Sequence, residues 1–228
     1  FSLTDNYVIV YDHSVVYNAE RLADGWLFPF AWDPSHRSRV GLIERAGDGS
    51  VRWIDAPLGS VNHDIAAHDT PNGVTVYFTS SERQFDRDKA GPLEAPPSLV
   101  RLDLDTTAGT SRLTTFDDHA QEFPRAHPDL GLHEARYIYA IGGGPGASGG
   151  GVIEPGNAII KHDLQQGTTE VASMGRARAT AEAVFVADPD READEDGGWL
   201  LSYVYDATTD LSDFVITDAQ DIAGGPVA

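Results

Sequence analysis

Short apolar runs bounded by turn residues follow one another along the whole chain. "NYVIVYD", "WLFPFAW", "VTVYFTS", "LVRLDL", "RYIYAI", "AIIKHDL", "WLLSYVYD" and "FVITDA" are rich in β-branched and aromatic residues and stop at Gly, Pro, Asp or Asn. That pattern reads as half-buried strands separated by tight turns. No stretch keeps a helical stripe through three turns. The best candidate, residues 176–187, begins "RARATAEA" and runs into the strand-like "VFV". The pattern predicts an all-β chain.

The strands recur with a period. Residues 39–57, 99–116, 158–173 and 214–228 each read as an apolar strand, a polar turn and usually a return strand. They return about every 60 residues, close to the repeat of a β-propeller blade. A longer apolar strand is expected before each, starting at Trp26, Val74, Tyr137 and Trp199. Upstream again lies an opening strand, in "HDIAAHDTPNGVTVYF" (63–78), "EFPRAHPDLGLHEARYIY" (122–139) and "EAVFVADPDREADEDGGWLL" (182–201). The first residues, "FSLTDNYVIVY", align with these, Phe1 opposite Ile65. The expected fold is therefore several consecutive propeller blades. This alignment puts His63, Glu122 and Glu182 at one repeat position, 59 and 60 residues apart, on innermost strands. Ionisable groups gathered there are costly unless they are paired or hold a cation. An axial polar or metal site is the expectation.

Composition narrows the partners. The chain has 228 residues, 41% hydrophobic and 23% charged, enough for a real core. Its 36 acidic against 16 basic residues leave a net charge of −20, which repels phosphate backbones and argues against nucleic acid. Lys89 and Lys161 are its two lysines. With no cysteine there are no disulfides and no thiolate ligands, which suits a reducing, cytoplasmic location. No run of ~18 apolar residues could form a transmembrane helix. The opening residues read like the inside of a domain. A single partial propeller spanning 1–228, truncated at both ends, is expected.

The same residues resemble a family. "FSLTDNYVIVYD", "PFAWDPSHRSRVGLIER" (29–45), "HDIAAHD", "QEFPR" (121–125), "AEAVFV" and "EDGGWLLSYVYD" (195–206), in that order, are similar to the carotenoid cleavage oxygenases, the superfamily of the retinal-pigment-epithelium protein and lignostilbene dioxygenase. The resemblance implies a seven-bladed propeller carrying non-haem Fe(II) on four histidines. O2 and a carotenoid, apocarotenoid or stilbenoid would meet there, and a C=C bond would be split into two carbonyls. His63 would be one iron ligand. Glu122 and Glu182 would accept a hydrogen bond from a ligand ring N–H, fixing its tautomer. The other three ligands would lie outside this chain, one just ahead of Phe1, one beyond Ala228 and one further towards the N-terminus. Any peripheral membrane contact would also come from parts outside it. The chain departs from the family pattern at Ala66-Ala67-His68-Asp69, in place of Asn-Ala-Tyr-Glu, and at Ala183, in place of proline. The other reading is a non-catalytic propeller that binds a ligand or a protein.

Other features carry plainer expectations. His68, five residues from His63, points away from any site His63 serves, at the surface or between blades. His162 is expected in a solvated outer hairpin, His119 in a loop, and His127 and His133 beside a turn. "DHS" (12–14) is adjacent only in sequence, and triads assemble in space. "IGGGPGASGGG" (141–151) lacks a dinucleotide fingerprint and reads as a long loop. "PDREADEDGG" (189–198) lacks a calcium-loop pattern and reads as a solvated hairpin tip.

Overall fold

A computed structural model describes residues 1–92, 94–143 and 156–228. Strands dominate it, and the one α-helix among the described residues, α1, has four residues. The described chain divides into two compact units, residues 1–118 with 132–134, and 119–131 with 135–143 and 156–228.

The first unit holds two four-stranded antiparallel sheets. In the first sheet β1 (Ser2–Leu3) and β2 (Tyr7–Asp12) form a hairpin. An excursion follows, in which β3 (Val15–Tyr17) and β4 (Phe30–Trp32) enclose α1 (Glu20–Ala23). The chain then returns as β5 (Arg39–Glu44) against β2, with β6 (Val51–Asp55) outermost. The second sheet is the plain meander β7 (Ser60–Thr70), β8 (Gly73–Ser81), β9 (Ser98–Asp105) and β10 (Thr110–Asp117). Every residue of β8 is buried, as expected of a strand covered on both faces. Ile9, Val40, Leu42 and Ile54 of the first sheet share one core with Val76, Phe78, Leu102 and Leu104 of the second. Full burial of each such side chain contributes about 2 kcal/mol. At the β7–β8 turn Gly73 has φ +158°, and an added Cβ would lie 2.0 Å from the Leu104 carbonyl oxygen, so only glycine fits.

The second unit repeats the design. One sheet is the meander β11 (Gln121–Arg125), β12 (Tyr137–Gly142), β13 (Ala158–Asp163) and β14 (Thr168–Ser173). In the other, β15 (Arg178–Thr180) and β16 (Val184–Ala187) pair with successive halves of β17 (Gly198–Asp206) as one interrupted opening strand. β18 (Leu211–Asp218) lines the far edge of β17. The return after β18 is a single bridge between Thr217 and Pro226. Apart from the two-stranded β3–β4 ribbon, the sheets have the up-and-down connectivity of propeller blades.

Three expectations need correction here. Trp26 does not open a long strand. That role in the first blade belongs to β2, while Trp26 lies in the excursion beneath the Arg21 guanidinium, 3.8 Å from its ring centre. Pro29, with no N–H to give a ladder, helps keep "WLFP" out of a sheet. Residues 189–198 are a solvated tip only in part: Pro189, Asp190 and residues 192–194 are exposed, while the rest is tied down. Arg191 donates to both carboxylate oxygens of Asp218 at 3.0 Å, Glu195 accepts from the backbone N–H of Arg136 and Tyr137, and Asp196 is buried against Lys161. Glu195 and Asp196 are held by amides and a cation that sequence distance hides. His162 is not solvated either: it is 0% exposed in β13, with both ring nitrogens hydrogen-bonded. Of the expected glycine-rich loop, residues 144–151 lie outside the described residues, and Ile141 and Gly142 end β12.

Tyr139 is buried in the core of the second unit and stacks on Phe185, ring centres 5.8 Å apart and planes 10° from parallel. Its hydroxyl finds no hydrogen-bond partner, and burial drives the phenol far above its ordinary pKa. An unsatisfied buried hydroxyl costs about 1–3 kcal/mol. Tyr139→Phe keeps the ring and is expected to raise stability by about 1 kcal/mol, read as a higher denaturation midpoint in urea.

Candidate functional site

His63, Glu122 and Glu182 each stand where an opening strand loses register with its neighbour. β7 pairs β8 through Val61↔Ser80 and resumes at Asp64↔Phe78, with His63 in the gap. There the His63 N–H donates to Thr79 Oγ1 at 3.2 Å. β11 pairs β12 through Glu122↔Ile141 and resumes at Arg125↔Tyr139. Between them Phe123 takes a left-handed φ of 51°, and Pro124 has no N–H to offer a ladder. β15 ends at Thr180↔Val204 and β16 begins at Val184↔Leu201, leaving Glu182 in the interruption. Such bulges bend a strand and re-aim its side chains.

The surroundings of the three differ. His63, in the first unit, is exposed. Glu122 and Glu182, in the second, are partly buried. The Arg125 Nε donates to Glu182 Oε1 at 2.6 Å, and this bond raises the Arg125 pKa. Glu122 Oε2 accepts from the backbone N–H of Phe123 at 2.9 Å. Arg125 was within reach of the sequence: it sits in "QEFPR" and is the cation nearest Glu122 along the chain.

The comparisons with known proteins bear on what this arrangement serves. The family model described as retinal pigment epithelial membrane protein matches residues 1–228. The chain belongs to that family. It is 30% identical over 97% of its length to the carotenoid cleavage oxygenase of Mycobacterium tuberculosis, covering 53% of that protein. It is 29% identical over its full length to the apocarotenoid-15,15'-oxygenase of Synechocystis, covering 47% of it. An isoeugenol monooxygenase of Pseudomonas putida is 29% identical over 87% of this chain. A crystal structure of cobalt-substituted Synechocystis apocarotenoid oxygenase superposes with a TM-score of 0.86 at 27% identity, over 100% of this chain and 48% of that one. The chain thus spans about half the length of the curated relatives it matches. The all-β propeller expectation is borne out: these are blades of the family's β-propeller.

The family's metal can be tested against the residues present. Among the described residues no three His, Cys, Asp or Glu side chains come together in a group able to hold an ion. His63 offers one imidazole, Glu182 is engaged by Arg125, and Glu122 is engaged by the Phe123 amide. One imidazole suits a single ligand position and does not make a metal centre, so the described residues alone do not fit bound iron.

His68, His36 and His13 of the first unit have structural settings. His68 has only 12% of its side chain exposed, its Nε2 3.9 Å from Glu134 Oε1 and its Nδ1 buried without a hydrogen bond. It is more enclosed than a surface residue, and it does not join His63. His36 Nε2 lies 2.6 Å from Asp12 Oδ1, and Arg39 holds the other oxygen of that carboxylate at 2.8 Å. Asp12 of "DHS" is therefore spent on an ion-pair cluster. Burial lowers the pKa of His13, with Asp12 opposing and His36 adding to the shift. Burial likewise lowers that of His68, against the pull of Glu134, Asp103 and Asp69 and with the help of Arg101. Both rings bind a proton more readily unfolded than folded. Their contribution is complete above the ordinary imidazole pKa of about 6.5 and is lost as pH falls below it. Urea midpoints are expected to fall between pH 7 and pH 5, and His68→Asn should flatten that slope.

Proposed function

We propose that this chain is part of an oxygenase that uses non-haem Fe(II) and O2 to split a C=C bond of a carotenoid or apocarotenoid into two carbonyl products. His63 is one iron ligand, and Glu122 and Glu182 orient ligand imidazoles by accepting their free ring N–H. The remaining histidines come from the part of the protein outside this chain. The observation that carries the reading is the repeated register break: three consecutive opening strands of a family member lose register at an ionisable residue of the same repeat position. When bound, Fe(II) supplies the positions at which O2 is activated. This chain's own part is to present one imidazole and two hydrogen-bond-accepting carboxylates from rigid sheets. The work is cytoplasmic in this reading.

The Arg125–Glu182 ion pair favours a second reading, a propeller that binds a polyene or a protein without turning it over. The full-length protein, reconstituted with Fe(II) under O2, separates the two. Product analysis over a carotenoid, an apocarotenoid, a stilbenoid and isoeugenol is expected to give paired aldehydes from an apocarotenoid. Absence of cleavage across the panel, with ligand still bound, supports the second reading and sinks the first.

A further inference from the structure

At the breaks beside His63, Glu122 and Glu182 a buried polar side chain is bonded to the residue just before each of the three, and its chemistry differs from break to break. Before His63 stands Asn62, whose Oδ1 accepts from Gln84 Nε2 at 3.2 Å. Gln84 is 5% exposed, also donates to Ser81 Oγ at 3.1 Å and accepts from Ser60 Oγ at 2.6 Å. Before Glu122 stands Gln121, 2% exposed, whose Oε1 lies 2.7 Å from His162 Nε2. His162 Nδ1 lies 2.9 Å from Thr169 Oγ1, and Gln121 Nε2 donates to the His119 carbonyl at 3.3 Å. An amide oxygen can only accept, so His162 carries its proton on Nε2 and accepts from Thr169 on Nδ1. Before Glu182 stands Ala181, whose carbonyl accepts from Ser202 Oγ at 2.7 Å, with Thr180 Oγ1 2.9 Å from the same hydroxyl. Ser202 is 2% exposed and Thr180 1%.

A register break removes the ladder bonds that would otherwise fix a strand, and a slip of one residue turns a side chain to the opposite face. Satisfied buried polar networks are rigid because breaking any member strands its partners. An amide, an imidazole and a hydroxyl share a location but no sequence pattern, which points to a shared task. We propose that Gln84, His162 and Ser202 are positioning residues that hold the bulged strands so that His63, Glu122 and Glu182 keep their aim. This rests on the reading of those three residues given above.

The test uses the full-length protein with Fe(II), O2 and an apocarotenoid. His162→Leu removes both ring hydrogen bonds, and His162→Gln keeps a donor for Gln121. His162→Leu is expected to lower kcat by about 10- to 100-fold with KM changed by less than about twofold, and to lose iron faster on dialysis against a chelator. His162→Gln should recover most of both. Because His162 acts through Glu122, adding His162→Leu to Glu122→Gln should cost little more than Glu122→Gln alone. Ser202→Ala, alone and with Glu182→Gln, repeats the cycle with a substitution small enough to fold. Losses that multiply in both double variants, or single variants that lower only the melting temperature, overturn the positioning role. If Glu122→Gln and Glu182→Gln lose activity while the buried variants do not, the site reading stands and this proposal falls. If those two variants keep full activity and iron, the site reading falls and takes the proposal with it.

Discussion

Replacing His63 by alanine in the full-length protein is expected to lower both bound iron and alkene cleavage by more than about 100-fold, beyond the cost of losing a group that merely orients a ligand. The same substitution should barely touch stability. His63 is exposed on a bulge, and the hydrogen bonds of its backbone N–H and carbonyl with Thr79 Oγ1 survive in alanine. Surface substitutions of this kind stay within about 0.5 kcal/mol. Metal analysis, product formation and a urea melt on one preparation check the claim together. Full iron and full cleavage in the alanine variant would remove His63 from the ligand set. A large loss of stability would show that the imbalance is one of folding rather than of chemistry.

The outer hairpins were the most legible part of the fold. Each is local: β5–β6, β9–β10 and β13–β14 are an apolar strand, a polar turn and a return strand, so neighbours in sequence are neighbours in space. The excursion between β2 and β5 was not legible, because Tyr17, Leu22 and Leu27 are apolar yet exposed and imitate a strand's composition. For the candidate site, the repeat period aligned His63, Glu122 and Glu182, and all three proved to sit at register breaks. The breaks themselves could not be read, since a register exists only relative to the partner strand. The role of His162 was hidden for a related reason. Its polar setting, "KHDL", suggests solvent, but Gln121 lies 41 residues away and satisfies the ring inside the unit. Lys161 deceives in the same way, its carboxylate partner lying 35 residues on.

That lysine carries the largest expected effect on folding. Lys161 Nζ, its side chain 6% exposed, donates to Asp196 Oδ2 at 2.7 Å and to the Ala219 carbonyl at 2.8 Å, and lies 4.6 Å from the centre of the Tyr137 ring. Asp196→Ala leaves the ammonium in place with only a carbonyl and a ring face for company. Stranding one member of a buried pair costs about 3–5 kcal/mol, because the desolvation already incurred loses its Coulombic return. For a small domain that is a large share of the total stability of about 5–15 kcal/mol. Lys161→Met strands the carboxylate instead, leaving it a 3.4 Å hydrogen bond from Gln220. It should therefore also destabilise. The double variant Lys161→Met with Asp196→Ala removes both charges and should recover most of the loss, since an apolar replacement of a whole buried pair is often neutral. Urea denaturation of the four proteins closes the cycle. A double variant as unstable as the sum of the single ones would mean that the pair acts through packing around β13 rather than through charge.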